Sequence, residues 1–355
     1  MQTRLYFFVF LLLSFLCIEV TSGQTGNDTT HKPGTKSKSA DYIKSLDTLL
    51  HLRTSVSAHQ MEYTLVYNKD FKMVLAPNEI NSLSFGLSYR YLDLGLSVTP
   101  AFLNPANKDE LKGESERFSF RTGFSIHRFN LNLDLNSVKG FYLKNSKELR
   151  AALPDSPYSI YPDLAVKYFS LLLRYNVNPN FSTASLSGGT QVQLRSAFTV
   201  LPTFQFATFT FHDDSKNSGV QNESTYSTDL NLLFPVLGTL VISPKISATL
   251  GVGPSVGVDF FKSVAINDSG KVVLSKGTEF SLGYTLQTAI RFHQGRFFTG
   301  FESQYRSYGH EIEEVSRLIK QFFYFQFYLG WRLKAPVFAK KTLDRVNKIS
   351  PVNFD

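Results

Sequence analysis

The sequence predicts an all-β chain, a transmembrane antiparallel β-barrel of about 12 strands (10–14), behind a cleaved signal peptide. Three observations predict it. First, apolar and polar residues alternate almost without a break from Phe280 to Leu333, and a strand sends successive side chains to opposite faces. Phe280, Leu282, Tyr284, Leu286, Ile290 and Phe292 make one face, and Ser281, Gly283, Thr285, Gln287, Arg291 and His293 the other. Such runs exceed the roughly 5–6 residues of an ordinary strand and suit the about 9–11 that cross a bilayer at a tilt. Second, residues 1–23 have the make-up of an export signal. Third, long polar connections alternate with tight ones along the chain.

The export signal comes first. Arg4 supplies a positive start, Leu5 to Ile18 is apolar, and Val20-Thr21-Ser22-Gly23 offers small residues for cleavage, so the mature chain is expected to begin near Gln24. Leu13-Ser14-Phe15-Leu16-Cys17 is a poor lipid-attachment motif, because bulky Leu16 directly precedes the cysteine. Cys17 is the single cysteine, so the exported chain is expected to carry none, which fits a bacterial outer-membrane protein better than a disulfide-stapled secreted domain. Aromatic residues make up 14% of the chain, mostly Phe and Tyr with one Trp. Girdles at the two membrane interfaces would use them. The net charge of +8 is unchanged by loss of Arg4 and Glu19. The basic residues are spread singly, with no stripe that would suit nucleic acid. Outer-membrane lipid and lipopolysaccharide are the expected partners, together with the barrel-assembly machinery.

Residues 24–48 form a polar lead rich in Thr, Ser, Lys and Gly, expected to be disordered and periplasmic. Asp41 to Leu50 reads either as a short helix or as the entry to the first strand. The barrel is expected over residues 49–333. Leu50, Leu52, Thr54 and Val56 alternate with His51, Arg53 and Ser55. Leu83, Phe85, Leu87 and Tyr89 oppose Ser84, Gly86, Ser88 and Arg90. Phe129, Leu131, Leu133 and Leu135 oppose Asn130, Asn132, Asp134 and Asn136, the cleanest alternation in the chain. Further strands are predicted near 118–126, 163–176, 191–211, 225–234, 245–262, 278–293, 296–308 and 320–333. Gly251, Gly253, Pro254 and Gly257 read as bends or bulges.

Long connections are predicted at about 101–115, 139–162, 212–224, 264–277 and 309–319, and tight ones at Leu92-Asp93, Arg128 and Gln294-Gly295. Outer-membrane barrels alternate in this way, with long outer loops and short periplasmic turns. Residues 49–76 read as one strand or as three, giving 12 or 14 in all. Twelve is adopted, with both termini periplasmic and residues 334–355 as a basic periplasmic tail. Closure leaves no unpaired amide in hydrocarbon.

Several short segments carry a family likeness: Leu52-Arg53-Thr54, Ala76-Pro77-Asn78, Lys139-Gly140-Phe141-Tyr142-Leu143, Tyr161-Pro162-Asp163-Leu164 and Tyr175-Asn176-Val177-Asn178-Pro179. With these the chain resembles an outer-membrane barrel family of Bacteroidota classed as a domain of unknown function (4421). The resemblance spans most of the mature chain. It implies an outer-membrane barrel and brings no catalytic residues. One departure is that Trp331-Arg332-Leu333 precedes a tail, so the terminal aromatic signal of such barrels is internal here.

Chemistry is sparse. The seven histidines form no ligand cluster of recognisable spacing, and no metal or cofactor is expected. His212-Asp213-Asp214, at the outer rim, is the best general-base candidate, against the simpler reading of a solvated loop entry. His310-Glu311 with Glu313-Glu314 reads as a charged loop or a divalent-cation site shared with lipopolysaccharide phosphate. The inward positions are more informative. Arg53, Arg90, Arg121, Asp134, Arg174, Arg291, Glu302 and Arg332 are expected to line the lumen, with Arg195, Asp259 and Arg306. They either satisfy one another in a closed interior or leave water between them in a passage that favours anions. The expected function is therefore a non-enzymatic outer-membrane barrel. It is either a passive channel for small polar or anionic solutes or, with a closed lumen, a surface adhesin or envelope-structure protein. A rim hydrolase is the third reading.

Overall fold

A computed structural model of the chain describes residues 41–67, 71–78, 80–105, 111–149, 158–187, 189–213, 224–266, 272–312 and 316–349. The expected signal peptide and most of the lead lie outside them, as do Asp214, Glu313 and Glu314. The strands are β1 (Ile43–Ser45), β2 (Leu49–Tyr67), β3 (Phe71–Ala76), β4 (Ile80–Tyr89), β5 (Leu92–Val98), β6 (Glu116–Ile126), β7 (Phe129–Leu143) and β8 (Ile160–Tyr175). Then follow β9 (Gln191–Gln193), β10 (Ala197–Val200), β11 (Thr203–Asp213), β12 (Ser224–Leu233), β13 (Val236–Ser243), β14 (Ile246–Ile266), β15 (Val272–Gln294), β16 (Phe297–Ile312) and β17 (Ser316–Lys334). A C-terminal helix spans Val337–Ile349.

β1 and β9 pair with each other, and the remaining 15 strands form one antiparallel sheet that closes where β17 meets β2. Three wall strands are interrupted. β3 and β4 both pair with β2, in registers offset by one residue across Pro77-Asn78. β10 and β11 are separated at Leu201-Pro202, and β12 and β13 at Phe234-Pro235. A proline has no N–H to give the ladder. Leu201 N donates to Pro235 O at 2.9 Å and Phe234 N to Pro254 O at 3.0 Å, which carries the ladder across both breaks. With each interrupted strand counted once, the ring has 12 members.

Four boundaries correct the sequence expectation. Residues 49–76 are neither one strand nor three, but β2 and the upper part of the second wall strand. Asp41 to Leu50 is not a helix, since β1 and the start of β2 occupy it. The strand expected over 191–211 is divided: β9 leaves the wall to pair with β1, and the wall resumes only at Ala197. The outer connections expected at 264–277 and 309–319 shrink, because β14–β15 and β16–β17 stay paired past the apolar band, through Lys262↔Lys276 and Glu311↔Arg317. Beyond the bilayer, polar side chains can extend a ladder without desolvation cost. The turns at the opposite end are tight, with Arg90, His127 and Gly295 in the left-handed region at φ 51, 51 and 56°.

β14 runs unbroken through Gly251, Gly253, Pro254 and Gly257, so these are not bends. A β-carbon on Gly253 would strike the Pro235 backbone, so this glycine makes room for the break in its neighbour.

The wall narrows toward the loop end. β5 and β6 are short, and beyond them β3 pairs directly with β7 through Leu75↔Leu143 and Ala76↔Tyr142. The junction is tied by Ser115, whose Oγ donates to Gly140 O at 2.7 Å and accepts from Asn78 N at 2.9 Å. Outward positions such as Phe85, Phe118, Leu250, Leu282, Ile290 and Trp331 are exposed on all sides of the ring. This is the apolar surface a barrel presents to lipid. Among the described residues no helix is long and apolar enough to cross a membrane. The chain is an outer-membrane β-barrel.

Candidate functional site

The lumen is the candidate site, and described residues fill it at three levels. Near the loop end, inward side chains from opposite walls meet. Tyr63 on β2 and Phe211 on β11 stand on opposite sides of the ring, yet their rings touch edge-on with centroids 4.8 Å apart. Phe322 stacks on Phe209 at 6.0 Å and on Tyr308 at 5.7 Å. The narrowing from twelve strands to ten is what brings these walls within reach.

Into this aromatic layer projects Lys320, with none of its side chain exposed. Its Nζ donates to Asp229 Oδ1 at 2.9 Å and to Asp259 Oδ2 at 3.0 Å, and lies 2.8 Å from Ser227 Oγ. It also sits 4.4 Å above the Phe209 ring. A buried cation is tolerable only with such partners. The cluster joins β17 to β12 and β14 across the interior. Of its members, sequence reasoning singled out only Asp259. Lys320 and Asp229 also occupy the inward phase of alternating strands, which is the signal that could have found them.

At the end where β2 begins and β17 finishes, the described residues of 176–196 fold back under the barrel. Gln193 is the hub of this segment. Its Nε2 donates to Asn180 O at 2.7 Å and to Arg195 O at 2.9 Å, while its Oε1 accepts from Ser182 N at 2.7 Å. β1 clamps the segment from below through its pairing with β9. The segment touches the wall at separated points: Thr183 Oγ1 to Asn130 Oδ1 at 3.1 Å, Thr190 Oγ1 to Arg90 O at 3.2 Å, and Arg291 Nε to Leu186 O at 2.9 Å. Phe181 and Leu186 of the segment pack with Leu201 and Leu237 of the wall. The segment is a plug, and its composition alone did not distinguish it from an ordinary connection.

Between plug and aromatic layer lies a polar chamber of about 180 Å³. Of the eight residues expected in the lumen, Arg53, Arg90, Arg121, Asp134, Arg174 and Glu302 line it. Arg121 Nε donates to Asp134 Oδ1 at 2.5 Å, and Glu302 accepts from Gln326 Nε2 at 2.9 Å. Arg53 lies over the Tyr328 ring at 5.8 Å. Arg90 belongs to the β4–β5 turn and also reaches Asp344 of the C-terminal helix at 2.8 Å. The other two are elsewhere. Arg291 is buried against the plug, and Arg332 donates to Gly295 O at 3.1 Å at the rim. Arg195, outside the chamber, lies over the Tyr42 ring at 5.7 Å.

At the opposite rim, His212 Nδ1 is 2.7 Å from Ser224 Oγ across the β11–β12 pair. Among the described residues no three His, Cys, Asp or Glu side chains converge as metal ligands would.

A family model described as a domain of unknown function matches residues 28–333. Among curated proteins, none matches this chain in sequence. Solved structures with a similar course include the outer-membrane protease OmpT of Escherichia coli, at 6% identity and a TM-score of 0.39, covering 82% of this chain and 98% of that one. The monoaromatic hydrocarbon channel CymD follows at 9% and 0.26, covering 80% and 89%. The translocator domain of the autotransporter NalP of Neisseria meningitidis follows at 7% and 0.25, covering 79% and 88%. Likenesses of this size say nothing about activity, and no enzymatic role is supported.

Proposed function

The chain belongs to the DUF4421 family, a domain of unknown function, and we propose that it works as an outer-membrane barrel closed at rest, serving the envelope through its surfaces without continuous solute flow. The observation that carries this is the contact of opposite walls at Tyr63 and Phe211, with the Lys320 cluster set into the same layer. The plug under the far end supports it. An open channel would instead keep water along its axis.

The test is ion conductance of the signal-free protein refolded into a planar bilayer, with a heat-modifiable gel shift as the folding control. A folded but electrically silent barrel is expected. Stable conductance steps would overturn the closed reading. A gated passage for small anions is the second reading, favoured by the arginines that face the chamber. It differs in one outcome: brief conductance in the wild type that becomes sustained when the plug is loosened by Arg291→Met.

A further inference from the structure

Charge in the chamber is unbalanced. Five arginines line it (Arg53, Arg90, Arg121, Arg174 and Arg306), against the three carboxylates Asp93, Asp134 and Glu302. Two of these pairings are settled, Arg121 with Asp134 and Arg90 with Asp344 outside the chamber. Arg174 and Arg306 are different. Their guanidinium groups meet amide oxygens, Asn132 Oδ1 for Arg174 and Gln304 for Arg306 at 3.3 Å. Neither forms a direct ion pair with a carboxylate among the described residues, Asp134 and Glu302 acting on Arg174 only from farther off. They come from well-separated wall strands, β8 and β16, and both project into the same space.

Guanidinium charge enclosed in a barrel needs a counter-charge, because isolated ions are costly away from bulk water. The planar fork of arginine suits the oxygens of a tetrahedral oxyanion. The side-chain amides of Gln287, Asn132 and Gln326 line the same space and offer further donors. A chamber of about 180 Å³ exceeds the roughly 10–15 Å³ one water needs, so it has room for an oxyanion with some of its hydration. The chamber also reaches the β4–β5 turn, where Arg90, Tyr91 and Leu92 line it, so its entry lies at the plug side of the barrel.

We infer that the chamber is a binding site for one small oxyanion of the phosphate or sulfate class, held between Arg174 and Arg306 and entering past the plug. The inference builds on the closed lumen but is tested by binding, so it and the conductance result can fail separately.

The experiment is equilibrium dialysis of labelled inorganic phosphate against the refolded signal-free chain in nonionic detergent, at fixed ionic strength set with chloride, with unlabelled sulfate as competitor. Saturable retention near one phosphate per barrel is expected, displaced by sulfate. Arg174→Gln and Arg306→Gln should each weaken it roughly tenfold or more, while Arg128→Gln, at an exposed turn, leaves it unchanged. Asn132→Asp offers a route that keeps both arginines. It sets a carboxylate beside Arg174 and should abolish retention in a barrel that still passes the gel-shift control. Absence of saturable retention in the wild type would overturn the site, as would retention unaltered in the folded Asn132→Asp barrel.

Discussion

Lys320 Nζ and Asp229 Oδ1 lie 2.9 Å apart in the interior of the barrel, joining β17 to β12 across the lumen. Asp259 completes the cluster at 3.0 Å, so removing the lysine leaves two carboxylates facing each other with no cation between them. Lys320→Met is expected to lower stability by about 3–5 kcal/mol, read as a shift in the urea midpoint of the refolded barrel in detergent. Adding Asp229→Asn and Asp259→Asn to that variant should recover most of the loss. A single variant as stable as the wild type would show that the cluster does not hold the walls together.

Arg291 holds the plug by donating to the carbonyl of Leu186. Arg291→Met keeps side-chain length but gives up this bond, so the plug should open more often. Ser185, beside Leu186 and buried, is a reporter for that opening. Ser185→Cys in the signal-free chain should react slowly with a thiol reagent and roughly ten- to a hundredfold faster when Arg291→Met is added, as a bond to a charged donor of about 1.5–3 kcal/mol implies. Equal rates would place the holding interactions elsewhere in the segment.

Gly140 marks the place where the wall narrows. Its φ is 86°, and the ladder between β7 and β8 slips there, between Lys139 and Phe141. A β-carbon at this position would also strike the Glu114 carbonyl. Gly140→Ala should therefore cost about 1–3 kcal/mol, from positive φ in a residue with a side chain. The same substitution at Gly238, where a β-carbon meets nothing, is expected to be far milder. Urea midpoints of the two variants decide the comparison.

The C-terminal helix is joined to the barrel by Arg90–Asp344 at 2.8 Å and by Tyr91 Oη to Asn347 Oδ1 at 3.1 Å. The Asp344 side chain is 43% exposed, so the ion pair is screened by water and worth about 0–1 kcal/mol. Ending the chain after Lys334 should leave the barrel folding with nearly unchanged stability, and would make Trp331-Arg332-Leu333 almost terminal. A truncated chain that no longer gives a heat-modifiable band would assign the helix an assembly role.

Much of the wall was legible beforehand because of one physical fact. A strand between lipid and lumen must alternate, so Phe129 to Asn136 and Phe280 to His293 announce both their structure and their faces. The inward phase likewise pointed to Arg121, Asp134, Arg174 and Glu302, since a charged side chain on such a strand has nowhere else to go. Proline breaks were harder. Pro202 falls inside the strand expected over 191–211 and Pro235 just past the one expected over 225–234, whereas the structure interrupts the wall at both and tertiary pairing carries the ladder past them. The plug was not legible, because residues 177–190 have the composition of any polar connection and 191–196 read as the start of a strand, while hydrogen bonds to Asn130, Arg90 and Arg291 and the pairing of β9 with β1 are what hold the segment beneath the lumen.

The amino-acid order by itself determined the class of object, a membrane-crossing antiparallel barrel, because periodicity is local and needs no knowledge of neighbours. Which side chains meet across the interior was decided only by the tertiary structure. The ring narrows where β3 meets β7, and that brings Tyr63 to Phe211 and Lys320 to Asp229 across the axis. Which inward residues meet depends on strand order, stagger and closure, and these are properties of the whole ring.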